Sequence, residues 1–482
     1  MKQESFGIFD WRHIWAIDQN PSWQHWIPRW HGQLSAAIIA GLVLGPHFEA
    51  PEIIIIIAAA LLAARFQDHR ALILFAGTWL YELLGAWYGW TDLLTHIETI
   101  SVDQARLTGH SQAIAWVCTV ACLCFLYVAL TFSKRKPKSM FSRHPLMGML
   151  LLLSLMLLVG KITTGSIAYV SNLVVLTLAP YVWFIPQAVM AARAGKSGSV
   201  LLNLALIRAF WNPTYLPYGK GPSYLEKHQA SNAKDVAIAQ LKGLKLLVWG
   251  LCLYLFNLAL ANSLPNEWMD LDEAIARLIR GESFSIVKHW AVTMISTTSY
   301  SVNVAMWAHF FIGIARLAGY QLPRGSWRPL ESRSLAEYFN RFHFYFKELL
   351  VELFFVPTFF RFFKTSPRLR VFFATFMAAG VGNALWHYVR DIHLVIQGGF
   401  VESISTFTSY LFYCLALSVA IGISQIRSEN QPHRSEAWLA RLKDFVLVWG
   451  FVSLLHIFGN GSRVHGFEDR MLFLGSLFGV YG

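Results

Sequence analysis

Charge is scarce in this chain. Only 14% of its 482 residues are Asp, Glu, Lys or Arg, where soluble globular domains carry about a quarter. That shortage argues against a long soluble enzyme and against a disordered polymer. Cysteine is also sparse. Cys118, Cys122, Cys124, Cys252 and Cys414 all lie in apolar stretches, and no two have zinc-ligand or redox spacing. No metal centre is expected. Residues 1–33 lack the basic start and apolar stretch of a cleavable signal peptide. Internal repeats and low-complexity tracts are missing too. The run Ile53 to Ile57 breaks the alternation that a membrane β-barrel strand needs.

What fills the chain is hydrophobic residues, at 55%. They gather in runs near 34–46, 52–64, 71–90, 112–132, 145–160, 167–190, 244–262, 287–318, 335–363, 371–388, 404–424, 444–458 and 471–481. A membrane-crossing helix takes about 20 apolar residues, and in lipid only helices and closed barrels satisfy their own backbone. The expected fold is all-α: one polytopic bundle of roughly 11 spans, forming a single integral membrane domain over 1–482. The bilayer is its first partner. Trp11, Trp15, Trp23, Trp26 and Trp30 mark 1–33 as an interfacial segment, since tryptophan favours the headgroup zone.

The net charge of +12 sits in short connections, as the positive-inside rule predicts. No nucleic-acid motif accompanies it, so no nucleic-acid partner is expected. Lys134, Arg135, Lys136, Lys138 and Arg143 follow one another without an acid between them, which places that connection in the cytoplasm. Arg193 with Lys196, the group Arg361, Lys364, Arg368 and Arg370, and the group Arg427, Arg434, Arg441 and Lys443 repeat the pattern. The connections 91–111 and 263–285 are acidic and read as external. Both flanks of 335–363 are basic, so that run cannot cross once; it dips in and returns, or lies along the surface. Non-spanning backbone at membrane depth is tolerated where protein buries it or where it lines a wet cavity.

Three stretches carry candidate chemistry. The first runs from Phe210 to Gln229, inside 193–243, the least apolar internal stretch, which reads as a short cytoplasm-facing element and loop holding the turn-formers Asn212-Pro213, Leu216-Pro217 and Gly219-Lys220-Gly221-Pro222. The second stretch runs from Phe310 to His343. The third is Gly380-Val-Gly-Asn-Ala-Leu-Trp-His387. A histidine closing an apolar run is a functional candidate; desolvation keeps it neutral and able to accept a proton. Asn383 precedes His387 by about one turn. Read without further context, His387 could equally be satisfied by a neighbouring helix, His343 could sit on the polar face of a surface helix, and His309 could pack or line a tunnel.

In order, these stretches resemble the membrane-bound O-acyltransferase family, above all its bacterial branch of alginate O-acetylation and teichoic-acid D-alanylation proteins. The resemblance covers about 200–400. It rests on Gly221-Pro222-Ser223-Tyr224, Ile312-Gly313-Ile314-Ala315-Arg316-Leu317-Ala318-Gly319, Tyr338-Phe339-Asn340-Arg341-Phe342-His343 and Leu385-Trp386-His387. Tyr388 stands where the family has glycine, Phe342 where it has tryptophan, and His309 where the bacterial branch has aspartate. The resemblance implies a multi-pass enzyme of the bacterial inner membrane. It would pass an acyl group from a cytoplasmic thioester, acyl-CoA or an acyl carrier protein, to a hydroxyl. His387 would be the general base, and His343 would orient a substrate or stabilise the oxyanion. Asn383, Trp386, Arg341, Asn340, His309, Gly221, Pro222 and Tyr218 would line the substrate tunnel. Lys220, Lys227 and Lys234, in the basic turn region 220–245, would attract the donor's phosphates or an acidic carrier. No tightly bound cofactor is implied. The acceptor would be an envelope polysaccharide or an extracytoplasmic acyltransferase that relays the group; lipid or protein acceptors are the alternative within the family. A transporter without chemistry, and a scaffold that has lost its activity, are the readings from other classes.

Overall fold

The computed structural model describes residues 16–85, 90–103, 111–195, 198–218, 220–265, 268, 270–282, 285–429, 437–459 and 464–480. Trp11, Trp15, Arg106, Lys196, Gly219, Glu267 and Arg434 lie outside these residues. The described chain is all-helical, with no strand. The nearest approach to one is an isolated antiparallel bridge between Gln229 and Tyr320.

Among the described residues, six helices are long and apolar enough to cross a membrane: Ser111–Arg135, Pro145–Ile162, Ala233–Ser263, Pro367–Arg390, His393–Arg427 and Trp438–Gly459. Two bent pairs, Ala50–Arg65 with Gln67–Leu83 and Gly165–Tyr181 with Phe184–Arg193, raise the number to eight if each counts once. The first pair turns through 117°. The run 167–190 is not one rod, because a 3-10 turn at Ala179–Tyr181 interrupts it. Pro180 accounts for the break: it has no N–H for the helical ladder.

Several stretches that read as connections are helical. Trp90–Asp103 is a helix whose buried Trp90, Leu93 and Ile97 recur at helical spacing. Leu271–Ile279 buries Leu271, Ala274 and Ile275, and Asp270 caps it by accepting from the backbone N–H groups of Asp272 and Glu273. Val200–Leu206 starts at Ser199, whose hydroxyl accepts from Leu202 N–H at 3.1 Å. The run 335–363 breaks at His343: Leu335–Phe342 precedes it, and Phe344–Leu350, a π-helical turn Val351–Phe355 and Val356–Arg361 follow it as one continuous helix. At about 1.5 Å per residue, Leu335–Phe342 is far too short to cross a hydrocarbon core of about 30 Å, and the helix 344–361 is not apolar enough to count among the candidate spans.

The chain divides into two compact units. The first comprises Met1–Gly148, Tyr181–Cys252 and Met306–Arg324. Within it, Gly243 and Gly313 bring two helices together. A Cβ on Gly243 would meet the Gly313 carbonyl oxygen at 2.7 Å, the close approach that small residues permit between membrane helices. A buried ion pair, Arg208 with Glu82 at 3.6 Å, lies beside the proline-rich turns. Arg208 also donates to the Pro213 carbonyl at 3.1 Å, so the guanidinium pins Asn212-Pro213.

The second unit comprises Met149–Pro180, Leu253–Ala305 and Gly325–Gly482. One core cluster joins Leu271, Ile275, Val292, Ile457, Phe458 and Phe473. A second packs Tyr338 and Phe342 against Val448 and Trp449. The buried Arg470 ties the first cluster's edges, donating to the Ile457 carbonyl at 2.5 Å and facing Asp272 at 3.6 Å.

Candidate functional site

His387 belongs to the second unit. It lies on the short helix Asn383–Arg390, which follows a seven-residue π-helical stretch, Phe376–Gly382. The glycines of that stretch allow close packing. A Cβ on Gly382 would fall 2.7 Å from the Phe354 ring, and one on Gly380 would fall 3.0 Å from the Ser418 hydroxyl. Asn383 and His387 are four residues apart and therefore share a helix face; both are buried.

The imidazole Nε2 of His387 is 2.5 Å from the Tyr410 hydroxyl, and the two rings lie 4.1 Å apart. Tyr410 is held by the Phe407 ring at 5.4 Å and the Tyr413 ring at 4.9 Å. The Trp386 ring stands edge-on to His387 at 4.7 Å, with the Arg390 guanidinium over it. Asn383 Oδ1 and Trp386 Nε1 are buried and make no hydrogen bond within the described protein. Two polar atoms beside His387 thus keep their bonding capacity for something else.

His343 occupies the break between Leu335–Phe342 and Phe344–Leu350. The Phe346 ring lies between the two histidines, 5.5 Å from His343 and 6.1 Å from His387. It also contacts Trp386 at 5.0 Å. His343 is outside the six candidate spans, and desolvation pushes its imidazole down to about 4. It is therefore neutral at pH 7 and can both donate and accept a hydrogen bond. Arg341 is occupied structurally: it pairs with Glu337 at 2.6 Å and lies over the Trp327 ring. Asn340 is exposed.

Tyr410 also lines a partly open cavity of about 40 Å³ within the same unit. Thr297, Tyr300, Ser301, Tyr413 and His456 contribute further polar groups to it, and the space suffices for ordered water. Sequence reading passed over Tyr410, Phe346 and His456. Tyr410 and Tyr413 offered a signal, since tyrosines three apart within an apolar run present two hydroxyls on one helix face.

The remaining sequence-derived residues belong to the first unit. Tyr218 is buried edge-on to Phe311 at 5.1 Å. Gly221 has φ of +87° and precedes Pro222, the first residue of the helix Pro222–Lys227; a Cβ there would come within 3.0 Å of Gln187. Lys220 extends over the Tyr224 ring, while Lys227 and Lys234 are exposed. Glu226, on the same short helix, accepts from Gly198 N–H at 3.1 Å, and burial raises its carboxyl. His309 is half-buried on Ile286–Leu317. In the run Ile312–Gly319, Ile312, Ile314, Ala315, Leu317 and Ala318 are buried apolar side chains. That run serves packing.

The long apolar helices define a multi-pass helical membrane protein. No family model and no curated protein matches the chain.

Proposed function

We propose that this protein is an integral membrane O-acyltransferase, similar to the membrane-bound O-acyltransferase family. The supporting observation is the surroundings of His387: a buried imidazole fixed by the Tyr410 hydroxyl, with Asn383 and Trp386 holding unused polar atoms beside it. In this reading His387 takes the proton of an acceptor hydroxyl. The hydroxyl oxygen bonds to the thioester carbonyl carbon, the C–S bond breaks, and the leaving thiolate recovers the proton. Positioned proton transfer of this kind contributes about 10²–10⁴ in rate. Neutral His343 donates a hydrogen bond to the carbonyl oxygen as negative charge develops there. Asn383 and Trp386 orient the substrate.

The fuller proposal is a bundle of roughly 11 spans in a bacterial inner membrane, with 335–363 as its non-spanning element. Acyl-CoA or an acyl carrier protein serves as donor on the face of Lys220, Lys227 and Lys234. The acceptor is an envelope polysaccharide or an extracytoplasmic relay partner.

Membrane vesicles carrying the wild type or His387→Ala, supplied with radiolabelled acetyl-CoA, test the reading. Label should enter a glycan or protein fraction with the wild type only. Equal labelling with both would remove His387 from the chemistry. Should acetyl-CoA label nothing, an acyl carrier thioester is the second donor; failure with both rejects the acyltransferase reading.

A further inference from the structure

A concave basic site in the first unit lies far along the chain from His387. Its walls are Pro137, Lys138, Arg143 and His144 from one connection and Arg193 from the end of the helix Phe184–Arg193. It is an open concavity of about 550 Å³, within the size range of small-ligand sites. Its lining contains no acid.

The wall is built rather than loose. Ser139 and Ser142 share a hydroxyl contact at 2.7 Å, and Ser142 Oγ donates to the Lys136 carbonyl at 3.0 Å. Arg193 Nη1 donates to the Ser142 carbonyl at 3.4 Å, joining the two walls. All five lining residues are exposed.

The charges are also uncompensated. At three other exposed or half-exposed guanidiniums carboxylates stand close: Arg277 and Arg280 face Glu273 and Glu282, and Arg328 faces Glu331. Lys138, Arg143 and Arg193 make no ion pair among the described residues. Position supplies the ligand's origin. The candidate span Ser111–Arg135 ends just before this connection, and Pro145–Ile162 begins just after it. The concavity therefore sits at headgroup level on one membrane face. Met140 and Met147, 73% and 56% exposed, flank it with apolar surface suited to acyl chains.

We propose that this concavity binds the phosphate of an anionic phospholipid headgroup. Lys138, Arg143 and Arg193 supply the charge, and an acyl chain lies against the apolar side chains at its rim. Basic pockets beside membrane helices recognise anionic headgroups in this way. The proposal does not depend on the acyltransferase reading.

Native mass spectrometry of the full chain in detergent tests it, with phosphatidylglycerol and phosphatidylcholine as probes. Wild-type protein should retain phosphatidylglycerol in preference to phosphatidylcholine. Lys138→Ala/Arg143→Ala, which disturbs no hydrogen bond of the wall, should weaken phosphatidylglycerol binding on the order of ten- to thirtyfold, given the usual attraction per surface charge. Arg193→Gln should weaken it as well. As a control, Arg361→Ala/Arg368→Ala in another basic connection should change binding less than about twofold. Three results would each overturn the proposal: equal loss in the control, equal retention of phosphatidylcholine, or displacement of the lipid by stoichiometric CoA or inorganic phosphate. The last would identify a site for soluble phosphates instead.

Discussion

Tyr410→Phe isolates one atom. The substitution removes the hydroxyl 2.5 Å from His387 Nε2 and keeps the ring that packs on Phe407 and Tyr413. Packing volume is preserved, so the fold should survive. The loss is one hydrogen bond to a buried imidazole, which costs about 1–3 kcal/mol when a buried partner is left unsatisfied. If that energy holds the ring in its reactive orientation, acyl transfer should slow by about 5- to 160-fold, with the acceptor KM little changed. His387→Asn should cost about 10²–10⁴, because an amide cannot take the proton. The informative protein is the double variant. Tyr410 acts through His387, so Tyr410→Phe/His387→Asn should be no slower than His387→Asn alone. The assay is thiol release from the acyl donor by purified, reconstituted protein, with thermal unfolding measured alongside. Additive losses would show that Tyr410 acts independently of the histidine, and an unchanged rate in Tyr410→Phe would show that the contact does not position the base.

Gly243→Ala places a methyl 2.7 Å from a backbone oxygen, whereas Gly450→Ala meets nothing within 4 Å; the first should be less stable than the second by about 1–3 kcal/mol, measured by denaturant unfolding in detergent, and equal stabilities would refute the close helix approach. His343 stays neutral until pH falls toward 4: its folded value is below the ordinary one, so protonation is resisted until acid wins. The rate ratio of His343→Gln to wild type should therefore be flat from about pH 5.5 to 8, and a slope there would contradict the assignment. Reversing Lys220, Lys227 and Lys234 to glutamate should raise the donor KM more than it lowers kcat, and an unchanged KM at low salt would remove them as the docking surface. Cysteine introduced at Asp270 should react with an impermeant label in intact cells while one at Lys138 should not; the opposite pattern inverts the topology.

Hydrophobic runs made the helical membrane class legible, because long uniform apolarity has few other solutions in lipid. Breaks inside the runs were harder to read. Pro180 signals its own, and Pro357, which cannot donate to the carbonyl four residues earlier, follows the π turn Val351–Phe355; the stretch Phe376–Gly382 holds Gly380 and Gly382 but no proline. Trp90–Asp103 was missed because its charges hid a helical spacing of Trp90, Leu93 and Ile97. His387 stood out as an ionisable group in an apolar run, and Asn383 and Trp386 followed from their proximity to it. Tyr410 did not: its spacing from Tyr413 marks a polar helix face, but its contact with His387, 23 residues away in sequence, leaves no local pattern. The run Ile312–Gly319, which drew attention as a motif, consists mainly of buried packing residues.

The π-helical stretch Phe376–Gly382 has a consequence for how this site could arise or be lost. Each residue in an α-helix advances the chain by about 100° around the axis, and a π turn holds one residue more than an α turn. The stretch works as a phase shifter upstream of Asn383–Arg390. Deleting one residue between 376 and 382 would let the segment relax to ordinary α-helix, locally more comfortable. The residue removed is the one the π turn absorbs, so Asn383, Trp386 and His387 would keep their face; it is rewinding of the full-length stretch as α-helix that would swing them together by about 100°, carrying the imidazole away from Tyr410 with every side chain intact. The orientation of the site therefore depends on the π turn holding its extra residue, and a packing change that let 376–382 rewind would erase the site without any change in its side chains.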